Sequence, residues 1–155
     1  MPNTNVPDID LIAAAIHETW RSLSRSQGWP MQPRLDRPYA ELAGTDKEEN
    51  RAAAIRMDKV LSVEDLALSN DPGQPEAALP EGLEAMAEAE HALWVAHRSR
   101  NGWSWAATRD DAAKHHPSMV PYAQLPEHEK DKDRNNIRHY SEFAGRAGYR
   151  IVRMG

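Results

Sequence analysis

The stretch "HALWVAHRSRNGW", residues 91–103, has a counterpart in "HETWRSLSRSQGW", residues 17–29. Histidine, tryptophan and Gly-Trp hold the same places in both, 74 positions apart. His17 and Trp20, like His91 and Trp94, are three residues apart and so share a helix face. The glycine that follows marks a helix end, because it enters the left-handed conformation at little cost. A second set of identities lies downstream. Pro38, Tyr39, Leu42, Lys47 and Arg51 match Pro121, Tyr122, Leu125, Lys130 and Arg134 at a constant offset of 83. Two constant offsets, one of them carrying the rare tryptophan twice, imply an internal duplication whose second copy has a loop nine residues longer.

Each copy reads helix, Gly-Trp, proline-rich loop, Pro-Tyr-x-x-Leu, helix. Such a unit buries little alone, so two copies are expected to pack about a pseudo-twofold axis as one domain. The expected fold is mainly α, two helix–loop–helix repeats, with "YRIVR" (149–153) readable as a short strand or an extended tail. The expected division is a loose tail over 1–8, a degenerate repeat over 9–68, a Pro/Gly-rich linker over 69–82 and a second repeat over 83–155. Local signals set the helix bounds. Asp8 or Asp10 can cap the first helix, whose face carries Ile9, Ile12, Ile16, Trp20 and Leu23. Thr45 and Glu48 form a capping-box pattern for the second, and Pro80 suits the first turn of the third. A last helix is expected from Pro126 to the stop at Gly148.

Composition narrows the function classes. The formal net charge is −5 and neither half is basic, which argues against duplex nucleic acid as a partner. The absence of cysteine removes disulfides and thiolate metal sites. No secretory signal and no apolar run of membrane-spanning length is visible, so a cytoplasmic protein without a membrane partner is expected. "KHHP" (114–117) offers adjacent histidines that point apart, and no H-x-x-x-H pair supports them; neither a metal nor a cofactor is expected. Catalysis has little support. There is no G-x-S-x-G elbow, no Walker loop and no H-E-x-x-H, since Arg21 stands where a second histidine after His17 would fall.

The residues His91-x-x-Trp94, Gly102-Trp103, Arg109-Asp110, "HPSMVPYAQLPEHEKDKDRNN" (116–136) and "GYRI" (148–151) together closely resemble the ryanodine-receptor repeat, the RyR domain. The resemblance runs through about residues 84–152, while the first half matches only the skeleton. The Gly-Trp-x-Tyr-Gly usual in that family stands here as "GWSWA" (102–106) and, in the first half, as "GWPMQ" (28–32), where most of the loop equivalent to 106–118 is missing. The resemblance implies a binding module rather than an enzyme. Repeats of this family in calcium-release channels are implicated in adenine-nucleotide binding, and microbial members are held to sense nucleotide-derived signals. The expectation is therefore non-enzymatic binding of a small nucleotide-type ligand, as a sensor or as a sponge. Two other readings stay open, a protein-interaction or homodimerisation module and a small hydrolase of nucleotide signals.

The candidate ligand residues are His17, Trp20, His91, Trp94, Trp103, Trp105, Arg109, Tyr122 and Arg134. An indole can stack on a base, and an arginine fork can hold phosphate. Each also has a structural reading. Trp20 and Trp94 can fill the core, and each histidine can hydrogen-bond a carbonyl of its own unit. Trp29 and Trp103 can anchor the loop. Arg51 and Arg134, with Lys47 and Lys130, can form ladders with nearby acids. Tyr39 and Tyr122 can staple the entry of the second helix. Trp105, Arg109 and the longer loop have no counterpart in the first half.

Overall fold

Asp8 starts the first helix by accepting the Leu11 amide on its carboxylate at 3.2 Å, which satisfies one of the donors that a helix start leaves open. The computed structural model describes residues 7–154; of the tail expected over 1–8, only Pro7 and Asp8 fall within the described residues. Helix α1 (Ile9–Gln27) buries Ile12, Ala13, Ala15, Ile16 and His17 and stops at Gly28, whose φ is +74°. A 3-10 turn, Tyr39–Glu41, leads into α2 (Gly44–Ser62), followed by β1 (Leu66–Ser69). Then come α3 (Glu84–Arg100), β2 (Ser104–Trp105), β3 (His115–His116), a second 3-10 turn (Tyr122–Gln124), α4 (Glu127–Arg138), α5 (Tyr140–Arg146) and β4 (Arg150–Arg153). The fold is mainly α, as the helical spacing predicts.

The chain forms two compact units. The first holds the residues up to Ala78 together with those from His139 on. There α1 packs against α2 and α5, and β1 pairs antiparallel with β4, Leu66 opposite Arg153 and Ser69 opposite Arg150. Ile12, Met57, Val60, Leu61, Leu66, Phe143 and Ile151 are buried at its centre. The second unit is Leu79–Arg138. There α3 packs against α4 around Met86, Ala87, Leu125 and Ile137. The packing thus assigns residues 139–154 differently from the sequence division, which groups them with 83–138.

Four local expectations are revised or resolved. Helix α2 begins after Ala43, so Thr45 lies inside its first turn and Glu48 pairs with Arg51 at 3.1 Å instead of closing a capping box. Pro80 lies outside α3, which starts at Glu84. The single last helix is two, divided at His139 (φ −92°, ψ 0°). The reason lies in their buried faces. Ile137 of α4 serves the second unit, while Tyr140 and Phe143 of α5 serve the first. Finally, Arg150–Arg153 is a strand rather than a tail, because β1 supplies its backbone partners.

That pairing gives a direct check. Ile151 is fully buried, so Ile151→Ala should lower unfolding free energy by about 2–5 kcal/mol in chemical denaturation. A terminal tail without packing would respond by less than about 0.5 kcal/mol.

Candidate functional site

In each half a histidine, a tyrosine and an arginine fasten the Pro-Tyr loop and second helix to the first helix. His17 Nε2 donates to the Arg37 carbonyl at 2.7 Å, and His91 Nε2 donates to the Val120 carbonyl at 2.7 Å. Arg37 and Val120 immediately precede Pro38 and Pro121. A carbonyl only accepts, so Nε2 carries the proton in both rings. The Tyr39 hydroxyl donates to Asp10 at 3.1 Å, and the Tyr122 hydroxyl donates to Glu84 at 3.0 Å. Arg51 pairs with the same Asp10 at 3.5 Å, and Arg134 with the same Glu84. Lys47 stands 6.0 Å from the Tyr39 ring centre, and Lys130 stands 5.3 Å from that of Tyr122. All these contacts recur at the offsets of 74 and 83.

The electrostatics of the two ties agree with their geometry. Burial, then the hydrogen bond to Asp10, pushes the Tyr39 hydroxyl up to about 12. Burial, then the hydrogen bond to Glu84, pushes Tyr122 up to about 12 as well. The hydrogen bonds from Arg134 and Tyr122 hold Glu84 below the usual carboxylate range.

The halves part company around the tryptophans. Trp20 meets two rings of its own unit, His139 at 5.2 Å and Phe143 edge-on at 5.9 Å. Its neighbours four residues before and after are Ile16 and Ser24. Trp94 has Glu90 and Arg98 at those two positions, so an acid, an indole and a guanidinium follow one another on one face of α3, about 6 Å apart along the axis. Arg98 lies over both Trp94 (5.4 Å) and Trp103 (4.5 Å), a cation–π arrangement that aims its charge. His91 stacks on Trp94 from the other side of the turn at 5.7 Å.

The longer loop completes a cleft here. Gly102 (φ +86°) lets the chain turn after α3 in a conformation that a side chain would strain. Ser104 N–H then donates to the Lys114 carbonyl, and β2 runs parallel to β3 with Trp105 opposite His116. This places the His116 ring edge-on to Trp94 at 5.0 Å. The resulting cleft has a volume of about 460 Å³, within the range of small-ligand sites. Its walls are Glu90, His91, Trp94 and Arg98 from α3, Arg109, His116 and Ser118 from the loop, Leu125 just after the second 3-10 turn, and Glu129, Lys132 and Asp133 from α4.

The cleft is polar and of mixed sign. Burial, then the charges of Arg109 and Arg98, holds His116 below its ordinary range. Its Nδ1 accepts the Ser118 amide at 3.0 Å, so the neutral ring carries its proton on Nε2 and presents a donor there. Arg109 is exposed and paired with Asp111 at 2.7 Å. Lys132 pairs with Glu129 at 3.0 Å. Among the described residues no group of three or more His, Asp or Glu side chains is arranged to hold a metal ion. None of the described helices is long and apolar enough to cross a membrane.

Of the sequence candidates, the structure brings His91, Trp94 and Arg109 together at the cleft. Trp103 stands behind Arg98, and Trp105 lines an adjoining groove. Tyr122 and Arg134 face Glu84, outside the cleft lining. His17 and Trp20 lie in the first unit. Glu90, Arg98, His116 and Lys132 line the cleft without having been candidates. Glu90 and Arg98 were findable from the helical spacing around Trp94. His116 was not, because only strand pairing across the loop brings it to the indole.

The two tyrosine ties predict an alkaline response. Both hydroxyls ionise well above the ordinary value of 10 in the folded protein, so their contribution is intact below pH 10 and is lost as pH rises through about 12. Tyrosinate absorbance should show late-titrating residues that disappear in Tyr39→Phe/Tyr122→Phe, and the double variant should lose less stability than the parent over that window.

The family model of the RyR domain matches residues 76–153.

Proposed function

The chain belongs to the RyR domain family, and from that premise we propose that it is a tandem of two such units whose second unit binds a small nucleotide without altering it. The paired histidine, tyrosine and arginine contacts at two constant offsets support the tandem. The cleft on Trp94 supports the ligand, and the order of groups along α3 is the observation that carries it. Trp94 offers a face for a base, worth about 1–3 kcal/mol on stacking. Arg98 and Arg109 line the same cleft as the indole and suit phosphate, which a guanidinium meets with paired donors. Glu90 and Asp133 accept hydrogen bonds, as an exocyclic amino group or a ribose hydroxyl requires. A cleft that balances three cations against three acids favours a ligand with both anionic and donor groups over a bare anion.

In the first unit, Trp20 is faced by His139 and Phe143, and Ile16 and Ser24 replace the charged pair. One ligand per chain is the consequence. In the cytoplasm it would serve as a sensor or as a sponge lowering the free signal.

Calorimetric titration with AMP, GMP, CMP and UMP checks this reading. At least one should bind at one per chain, and the nucleotide should be recovered unchanged. Arg109→Ala and Trp94→Phe should each weaken binding about three- to tenfold with the fold intact by circular dichroism, and Trp20→Phe should leave it unchanged. Because a phosphate beside His116 favours its protonated form, binding should take up protons across the pH range in which imidazoles titrate and cease to do so in His116→Gln. Failure of all four nucleotides to bind, or conversion of any of them, overturns the proposal.

A further inference from the structure

The cleft does not end at His116. A second groove, of about 360 Å³, shares Pro117, Ser118, Leu125 and Glu129 with it and adds Trp105. Trp105 is 57% exposed, whereas Trp20, Trp94 and Trp103 are half-buried. An indole left this open on a strand is a stacking surface or an interface anchor. The strand holding it is no free end. Ser104 is tied to Lys114, and Trp105 is the ladder partner of His116. His116 is therefore common to both indoles. Its ring meets Trp94 at 5.0 Å, and its backbone pairs with that of Trp105.

We infer that the two grooves form one elongated site for a dinucleotide, with one base on Trp94, the other on Trp105 and the linking phosphate at His116. This rests on the nucleotide reading of the cleft and narrows its ligand class. Continuity of the two grooves is the first support. The second is chemical. His116 has Nδ1 engaged by the Ser118 amide, so its Nε2–H is a donor at the junction. Arg109 and Arg98 act electrostatically on the same ring, each more strongly than the carboxylates of Glu129 and Asp111 that oppose them, so the balance of charge at the ring favours a bridging phosphate. The loop that builds the junction is the part of the chain missing from the first half, where neither Trp105 nor His116 has a counterpart.

The experiment compares each mononucleotide with its homodinucleotide joined by one phosphodiester (AMP with ApA, and so on) by calorimetry on the full chain. The dinucleotide should bind about tenfold or more tightly at one per chain. Trp105→Ala should remove that advantage and leave mononucleotide affinity unchanged, while Trp94→Phe weakens both. Trp105 is exposed, so its variant should keep the fold, which circular dichroism checks. Equal affinity for mono- and dinucleotide overturns the two-base site and spares the mononucleotide reading. If no mononucleotide binds, that underlying reading fails and takes this one with it. Sedimentation that reveals self-association abolished by Trp105→Ala, with dinucleotide affinity unaltered, also overturns it and makes the indole an interface anchor.

Discussion

A hydrogen bond from a buried histidine to the carbonyl before a proline holds each half in shape. His17 and His91 are each only 4% exposed, so an unpaired ring there would carry the desolvation cost of a buried polar group, about 1–3 kcal/mol. The residue before proline is held in an extended conformation, which fixes where its carbonyl points. The histidine on the first helix thus captures the loop just ahead of its 3-10 turn. Once captured, the loop delivers Tyr39 or Tyr122 to a carboxylate on the first turn of that helix. Arg51 or Arg134 reaches the same carboxylate from the second helix. Loop, first helix and second helix are joined at one acid.

That common frame explains why the same residues need not have the same use. With the frame secured by His, Tyr and Arg, the tryptophan three residues on is free to differ in its surroundings. In the first unit α5 supplies aromatic neighbours, and Trp20 becomes part of a packed cluster. In the second unit the longer loop supplies His116 and Arg109 instead, and α3 supplies Glu90 and Arg98. Ring contacts from α5 engage one indole, whereas charge and an inserted loop surround the other with polar groups and leave a cleft.

The charges of the cleft are arranged rather than merely present. Arg98 is held between two indoles, which limits the rotamers a long cation would otherwise sample. Lys132 and Glu129 neutralise one another, as do Arg109 and Asp111. Such exposed pairs are individually worth little, about 0–1 kcal/mol, so a ligand phosphate can exchange for a carboxylate partner at small cost. His116 is kept neutral by burial and by nearby cations, and an incoming anion would reverse the second of these influences.

Much of this was legible before any coordinate. Two constant offsets named the paired residues, and helical spacing placed them on the first and second helices. The same spacing located the glycine stops at 28 and 102. The capping-box pattern at Thr45 misled because a local motif competes with whatever the preceding turn already satisfies. The long acidic helix misled because periodicity does not register a change of packing partner, and the break at His139 separates residues serving different cores. The helical class, the paired His, Tyr and Arg positions and the longer loop of the second half are written in the sequence, since they follow from short-range chemistry and from recurrent spacing. That β4 joins β1, that α5 packs rings on Trp20 and that His116 reaches Trp94 came from the folded packing alone. Those contacts join residues far apart in the chain, where no spacing rule operates and only the competition for buried surface selects the partner.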